Sequence, residues 1–385
     1  MELNSMAQTH EPISSQLLAI DEQLTQLVSD IDILSSVNPL NYARERERFI
    51  NNKYSKEPNF EYQKSPLVTH QSKRLLYELP LENIKDTQLQ KLYADVIQSY
   101  ADKLDQVDTI GTQDFLYNSL RYYGEPSAKD IANAHFILHL PTEEESKPEH
   151  DSHSIAQFMG SFAHKHGYDC EIQVLDGMLA NALVSGLRVK INGAAYITTD
   201  ELEALAHHEM GVHLLTTLNG RRQPLNVLSL GCPANTNTQE GLAILCEYLS
   251  GHFSIKRLRT LALRVLAVES MIKERDFRQT FRLLKEQYHT SDTQAFTITA
   301  RVYRGGGLTK DYLYLRGFRE VLNAYDNLGD DFSLLLCGKT ELKYFDVIRS
   351  LVDKGIFTRP ELISPALSHP QQTDPIHRYI VSALK

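Results

Sequence analysis

The sequence predicts an α+β fold, mostly helical, with a small sheet beside one short helix that carries two histidines. Three observations support that expectation. Apolar residues recur at threes and fours through most of the chain, the period of an amphipathic helix. One region, from Tyr168 to Gly193, instead alternates apolar and polar residues or strings β-branched ones before a glycine turn, as strands do. Directly after it comes LEALAHHEMGVHLL, residues 202 to 215, which sets His208, Glu209 and His213 on one segment.

In chain order, residues 1 to 13 are polar and expected to be loose. From Ser14 to Ser36, Leu17, Leu18, Leu24, Leu27, Val28, Ile31 and Leu34 form the stripe of a helix docked on the body. The run RERER at 44 to 48 reads as a solvated helix face. Two further helices are expected within 72 to 107, with Leu89, Leu92, Val96 and Ile97 on one stripe, then more helix broken at Gly124-Glu125-Pro126. An acidic loop, EEESKPEH, follows at 143 to 150. The stretches CEIQVLD and ALVSGLRVKING are the strands; a strand beside a metal helix can hold an extended peptide by main-chain hydrogen bonds. Thr198 with Glu201 should cap the histidine helix and Asn219-Gly220 should end it. A second helix starts at Asn237 with Glu240 three residues on and stops at Ser250-Gly251. A long basic and apolar helix from Ser254 to Tyr288 reads as scaffold, and TITARVYRG, 297 to 305, as one more strand that ends at Gly305-Gly306-Gly307. FREVLNAYDNL and ELKYFDVIRSLVDKG close the chain as helices. The expected division is an N-terminal helical extension, 1–66, packed on a catalytic body, 67–385.

Composition narrows the function. With 42% hydrophobic and 23% charged residues this is an ordinary globular composition. A net charge of -9 argues against nucleic acid, whose phosphates need a basic face. No apolar run is long enough for a bilayer and the N-terminus carries no signal-peptide pattern, so no membrane is expected and the cytoplasm is the default. Cys170, Cys232, Cys246 and Cys337 form no C-x-x-C pair and read as buried free thiols.

Two neutral imidazoles hold a divalent ion well, and a neighbouring carboxylate outside the ligand set can take a proton from water, the logic of H-E-x-x-H hydrolases. Here the spacing is H-E-x-x-x-H. In a regular α-helix residues five apart point about 140° apart. His208 and His213 can therefore share one ion only if the turn widens to the i to i+5 pattern of a π-bulge, which Gly211 eases. The alternative is a buried helix with two incidental histidines. Glu240, in the first turn of the next helix, is where the dipole favours a carboxylate and so a third ligand. It could equally be a capping partner of Asn237, and Glu247 on nearly the same face is its rival. His207 is either an outer donor or a surface or core histidine.

HHEMGVHLLTTLNG followed by TQEGLA resembles the QEGLA-motif (flavohemoglobin expression-modulating) proteins of bacteria, relatives of the microtubule-associated tyrosine carboxypeptidases of animals. NPLNY at 38 to 42, PNFEY at 58 to 62 and RVYRGGGLTKDYLYLRG at 301 to 317 are similar to the same family, so the resemblance covers most of the chain. It implies a zinc metalloprotease-like fold in which His208, His213 and Glu240 hold one Zn2+ per chain and Glu209 is the base. The implied reaction is removal of a C-terminal residue from a peptide or protein. Gln239 before Glu240 and Thr216-Thr217 after the helix core depart from the animal pattern and leave the metal chemistry intact.

A carboxypeptidase also needs a cation for the substrate carboxylate and a donor near the developing oxyanion. Read as a strand, RVYR sends Arg301 and Tyr303 to one face, which makes them the expected carboxylate clamp and catalytic donor, and leaves Arg304 to pair with Asp311. Arg304 and Lys310 complete the expected substrate-binding set. Two other readings stand beside this one: a non-catalytic regulatory or binding protein that keeps a metal for structure, and a metal-dependent amidase acting on a small molecule.

Overall fold

The computed structural model describes residues 13–141, 146–371 and 375–384. The polar stretch 1–12 and part of the acidic loop, 142–145, lie outside the described residues. The architecture is α+β and mostly helical, with two small sheets.

One continuous apolar core runs from Leu24 in the first helix through Tyr93, Leu261 and Phe281 to Leu351 near the end of the chain. The N-terminal stripe is split rather than continuous. Ser15–Val28 is capped by Ser14, and a separate turn, Ile33–Ser36, is capped by Asp32. Short polar side chains that bond backbone amides restart helices in this way. The RERER run lies on Tyr42–Asn51, but its Glu45 is buried: it accepts from the Asn59 amide at 2.8 Å and pairs with Arg48. Thr69–Tyr77 and Thr87–Thr109 are the two helices expected before residue 110, and Asp114–Tyr123 and Ala128–Leu138 flank the Gly124–Pro126 break.

The strands form where the alternating sequence places them. Arg188–Asn192 is central, parallel to Glu171–Leu175 and antiparallel to Ala182–Ser185, so Ala182–Ser185 is an edge. That edge strand packs on the segment bearing Glu209 and His213. A second sheet pairs His150–Asp151 with Tyr196–Ile197.

Two helices differ from expectation in where they end. Asn219-Gly220 does not end the histidine helix, which continues to Arg222. Asn219 instead bonds the backbone of Leu336 and Leu362, and a Cβ on Gly220 would come within 2.9 Å of Ser229. These two residues are small or polar because another part of the chain touches them there. The helix Ser254–Tyr288 is broken at Arg275, which takes a left-handed φ of 52°, after which Asp276 caps a new helix, Phe277–Arg282.

The largest correction is TITARVYRG, which is helix. Asp292–Tyr303 is capped by Ser291 and buries Ala295, Phe296, Ile298, Thr299 and Val302. Its β-branched residues favour a strand by local propensity, but the cap lies six residues before the stretch that suggested one, and packing overrides propensity. The three glycines then turn the chain tightly: Gly306 has a φ of 110°, and a Cβ there would sit 2.2 Å from the Thr112 carbonyl oxygen.

Candidate metal centre

A capping box between Thr198 and Glu201 starts the histidine helix, Thr199–His208, as expected. At Glu209 the helix widens. Residues Glu209–Leu214 are a π-helical turn, and α-helix resumes at Leu215. The extra residue in that turn rotates His213 back over His208, so the two Nε2 atoms lie 3.3 Å apart.

The third group comes from Thr236–Leu249. This helix begins one residue before Asn237, with no side-chain cap, and Asn237 bonds Glu320 instead. Glu240 is thereby free of any capping role. Its Oε2 lies 3.6 Å from His208 Nε2 and 3.5 Å from His213 Nε2 and has no hydrogen-bond partner. These three atoms form the one cluster of potential metal ligands among the described residues.

The triangle is a test of fit. Tetrahedral zinc with bonds of about 2.0–2.2 Å to nitrogen and oxygen sets ligand atoms about 3.3–3.6 Å apart, whereas an octahedron with the same bonds gives about 3 Å. The observed edges, 3.3, 3.5 and 3.6 Å, match the tetrahedral face. Two nitrogens and one oxygen are also a donor set that disfavours calcium and magnesium.

Each ligand is held from behind. Glu247 accepts from His208 Nδ1 at 2.6 Å and is itself gripped by Arg257 through two bonds of 2.8 and 2.9 Å. Glu247 is thus the outer partner that orients the ring, a carboxylate–histidine pair of the kind that fixes which nitrogen faces a metal. Lys310 Nζ, bonded to Tyr314 Oη at 2.9 Å, donates to Glu240 Oε1 at 2.5 Å and leaves Oε2 turned toward the imidazoles.

The electrostatics follow from burial. Burial favours neutral forms, but Lys310 and the two imidazoles outweigh it at Glu240 and hold that carboxyl well below its usual range. Burial pushes Glu209 up to about 7, with Glu240 and Glu247 adding to the rise and His208 opposing it. Its Oε1 is 3.9 Å from His208 Nε2, and its Oε2 has no partner. His213 is the least covered of the group, its side chain 15% exposed, so the centre reaches solvent on that side.

The remaining expected residues are placed differently. On a helix, Arg301 and Tyr303 no longer share a face. Arg301, not Arg304, pairs with Asp311, at 3.0 Å from Nη2 and 2.5 Å from Nε. Tyr303 bonds Thr280 at 3.1 Å and packs on Phe277, in a cluster with Phe49, Phe281 and Phe296. Lys310 is buried and engaged with Glu240. His207 sits edge-on to Phe162 with burial lowering it to about 4, a core histidine. Cys246 is buried against Ser364 Oγ at 3.3 Å.

Sequence reasoning missed Arg257, Tyr314 and Lys339. Lys339 donates to the His213 carbonyl at 3.1 Å, and burial lowers it to about 8 against the pull of Glu240 and Glu209. Arg257 carried a faint signal, since it recurs seven residues on as Arg264 on one helical face. Tyr314 stands four residues after Lys310, one turn away. Lys339 lies on a bend far along the chain and had none.

Two imidazoles and a carboxylate meeting at one point, with another carboxylate alongside, define a class, the possible three-ligand metal site. The family model for microtubule-associated tyrosine carboxypeptidases matches residues 47–385, and the chain belongs to that family. No curated protein matches it.

Proposed function

We propose that this protein is a zinc-dependent carboxypeptidase that removes the C-terminal residue of a peptide or protein, a cytoplasmic one included. The convergence of His208, His213 and Glu240 on a tetrahedral face, with the Glu209 Oε2 atom unpartnered beside it, is the observation that carries the reading. Membership of a tyrosine carboxypeptidase family supports it and makes a terminal tyrosine the first residue to try. A zinc ion held by these three residues would lower the pKa of a water and polarise the scissile carbonyl. Glu209 then accepts the water's proton and returns it to the departing amine, which a carboxylate with a free oxygen can do. His208 and Glu240 keep their aim through Glu247–Arg257 and Lys310. Lys339 places positive charge beside His213, on the more open side. The edge strand Ala182–Ser185, next to the π-turn, offers unpaired main-chain groups to an extended substrate.

The test is mass spectrometry of peptides ending in tyrosine, phenylalanine or alanine after incubation with zinc-loaded protein. Loss of the last residue alone, stopped by chelation and restored by zinc, is expected. Protein that holds one zinc per chain yet leaves every peptide intact would return the site to a structural role.

A further inference from the structure

A π-turn is a rare departure from regular helix, and the metal centre exists only while Glu209–Leu214 keeps that form. In a regular helix His213 would point about 140° away from His208. Side chains grip the exit from the turn. Thr217 Oγ1 donates to the His213 carbonyl oxygen at 2.8 Å, and Lys339 Nζ donates to the same oxygen at 3.1 Å. Beside them, the Thr216 hydroxyl lies 2.8 Å from the Val212 carbonyl oxygen and 3.0 Å from Gln239 Oε1.

A threonine that bonds the carbonyl four residues back is ordinary in any helix. Lys339 is different, because it reaches His213 from 126 positions along the chain. Its own backbone is fixed: its amide donates to the Leu228 carbonyl at 2.7 Å, and its carbonyl accepts from the Cys232 amide at 2.9 Å. Gly231, at a φ of 102°, passes so close that a Cβ there would lie 2.9 Å from Lys339 Cβ. The flanking carbonyls of Gly338 and Thr340 face Gln239 Nε2 at 3.5 and 3.4 Å, so one short segment touches both metal-bearing helices. Lys339 is half-buried, yet no carboxylate lies within 4.0 Å of its Nζ among the described residues. Covering an ammonium costs hydration, and the bond it gains here is to the peptide of a ligand histidine.

We infer that Lys339 and Thr217 are positioning residues that lock the His213 peptide at the end of the π-turn, so that its imidazole faces His208 before any ion arrives. This rests on the zinc reading and adds how the metal-free chain keeps the ligand geometry. An ion that binds only the widened turn has its apparent affinity scaled by the fraction of molecules in that form. As a bare charge, Lys339 would do the opposite, since a cation beside the centre repels a dication. The two roles therefore differ in sign: removing the ammonium weakens zinc binding if it is a lock and tightens it if it is only a charge.

The experiment is zinc affinity of the full chain, by competition with a chromophoric chelator, for wild type, Lys339→Met, Lys339→Arg and Thr217→Val. Lys339→Met should weaken zinc about 10- to 100-fold, the range of a hydrogen bond to a charged group, and Thr217→Val about 2- to 10-fold. Lys339→Arg keeps a donor and should recover most of the loss. In the metal-free chain, the amides of Glu209–Leu214 should exchange hydrogen faster in Lys339→Met and Thr217→Val than in wild type. Zinc bound as tightly or more tightly by Lys339→Met overturns the inference. Should that variant fail to fold, Thr217→Val decides, and wild-type affinity with wild-type exchange in it overturns the inference equally. A wild type that takes up no zinc sinks the zinc reading, and the lock then stands or falls on hydrogen exchange alone.

Discussion

Glu209 and His213 make separable demands. Glu209→Gln keeps the shape of the side chain and removes its capacity to take a proton, so zinc content and folding should be unchanged while turnover falls by about 10² to 10⁴. Unaltered hydrolysis would exclude it as the base. His213→Ala leaves two ligands and should strip the metal, whereas Glu247→Ala should keep zinc with about 10- to 100-fold weaker affinity, because it removes only the group behind His208. Metal analysis of the two variants distinguishes them, and complete metal loss in Glu247→Ala would make that residue a ligand. At this scale the sequence was informative where chemistry follows from spacing. The His208–His213 interval demanded a widened turn, and the turn is there. It was uninformative where roles depend on contacts across the chain. Nothing in RVYR says that Asp311 chooses Arg301 over Arg304, and a one-dimensional pattern cannot reveal that Lys310 faces Glu240, seventy positions away.

The two helices behind the centre are pinned by glycine. A Cβ on Gly241 would lie 2.3 Å from the Gly317 carbonyl oxygen, and one on Gly317 would lie 2.0 Å from that of Asn237. This contact lets Thr236–Leu249 and Leu313–Leu328 touch backbone to backbone, which brings Lys310 and Tyr314 within reach of Glu240. Gly241→Ala must push the pair apart at a cost of about 1–3 kcal/mol, typical of overpacking. Lower thermal stability together with weaker zinc affinity is expected, since Glu240 is adjacent; a variant with wild-type melting and metal content would show that the helices can slide without consequence. Helices with caps and long apolar stripes could be read from sequence, as Thr198–Glu201 and the Thr87–Thr109 helix show. The misread element, Asp292–Tyr303, has β-branched residues on a face that only the tertiary core makes favourable for a helix.

For the whole molecule, the N-terminal helices share the core of the body. Phe49 packs on Phe277, Phe281 and Phe296, and Asp21 is buried where it accepts from Tyr93 Oη at 2.6 Å and from the amides of Asn226 and Val227 at 2.7 and 3.1 Å. Asp21→Ala strands these donors and should cost about 3 kcal/mol, seen as a lower denaturation midpoint. A chain starting at residue 67 should fold poorly for the same reason together with the loss of Phe49, and a truncated protein as stable as the full chain would make the extension dispensable. The Asp21 contacts also have a meaning in time. Translation at about 5–20 residues per second separates Asp21 from Val227 by about 10–40 s. The helix that carries Asp21 can therefore meet Tyr93 about 4–14 s after it is made, and its polar bonds to Asn226 and Val227 close only later, when those residues emerge.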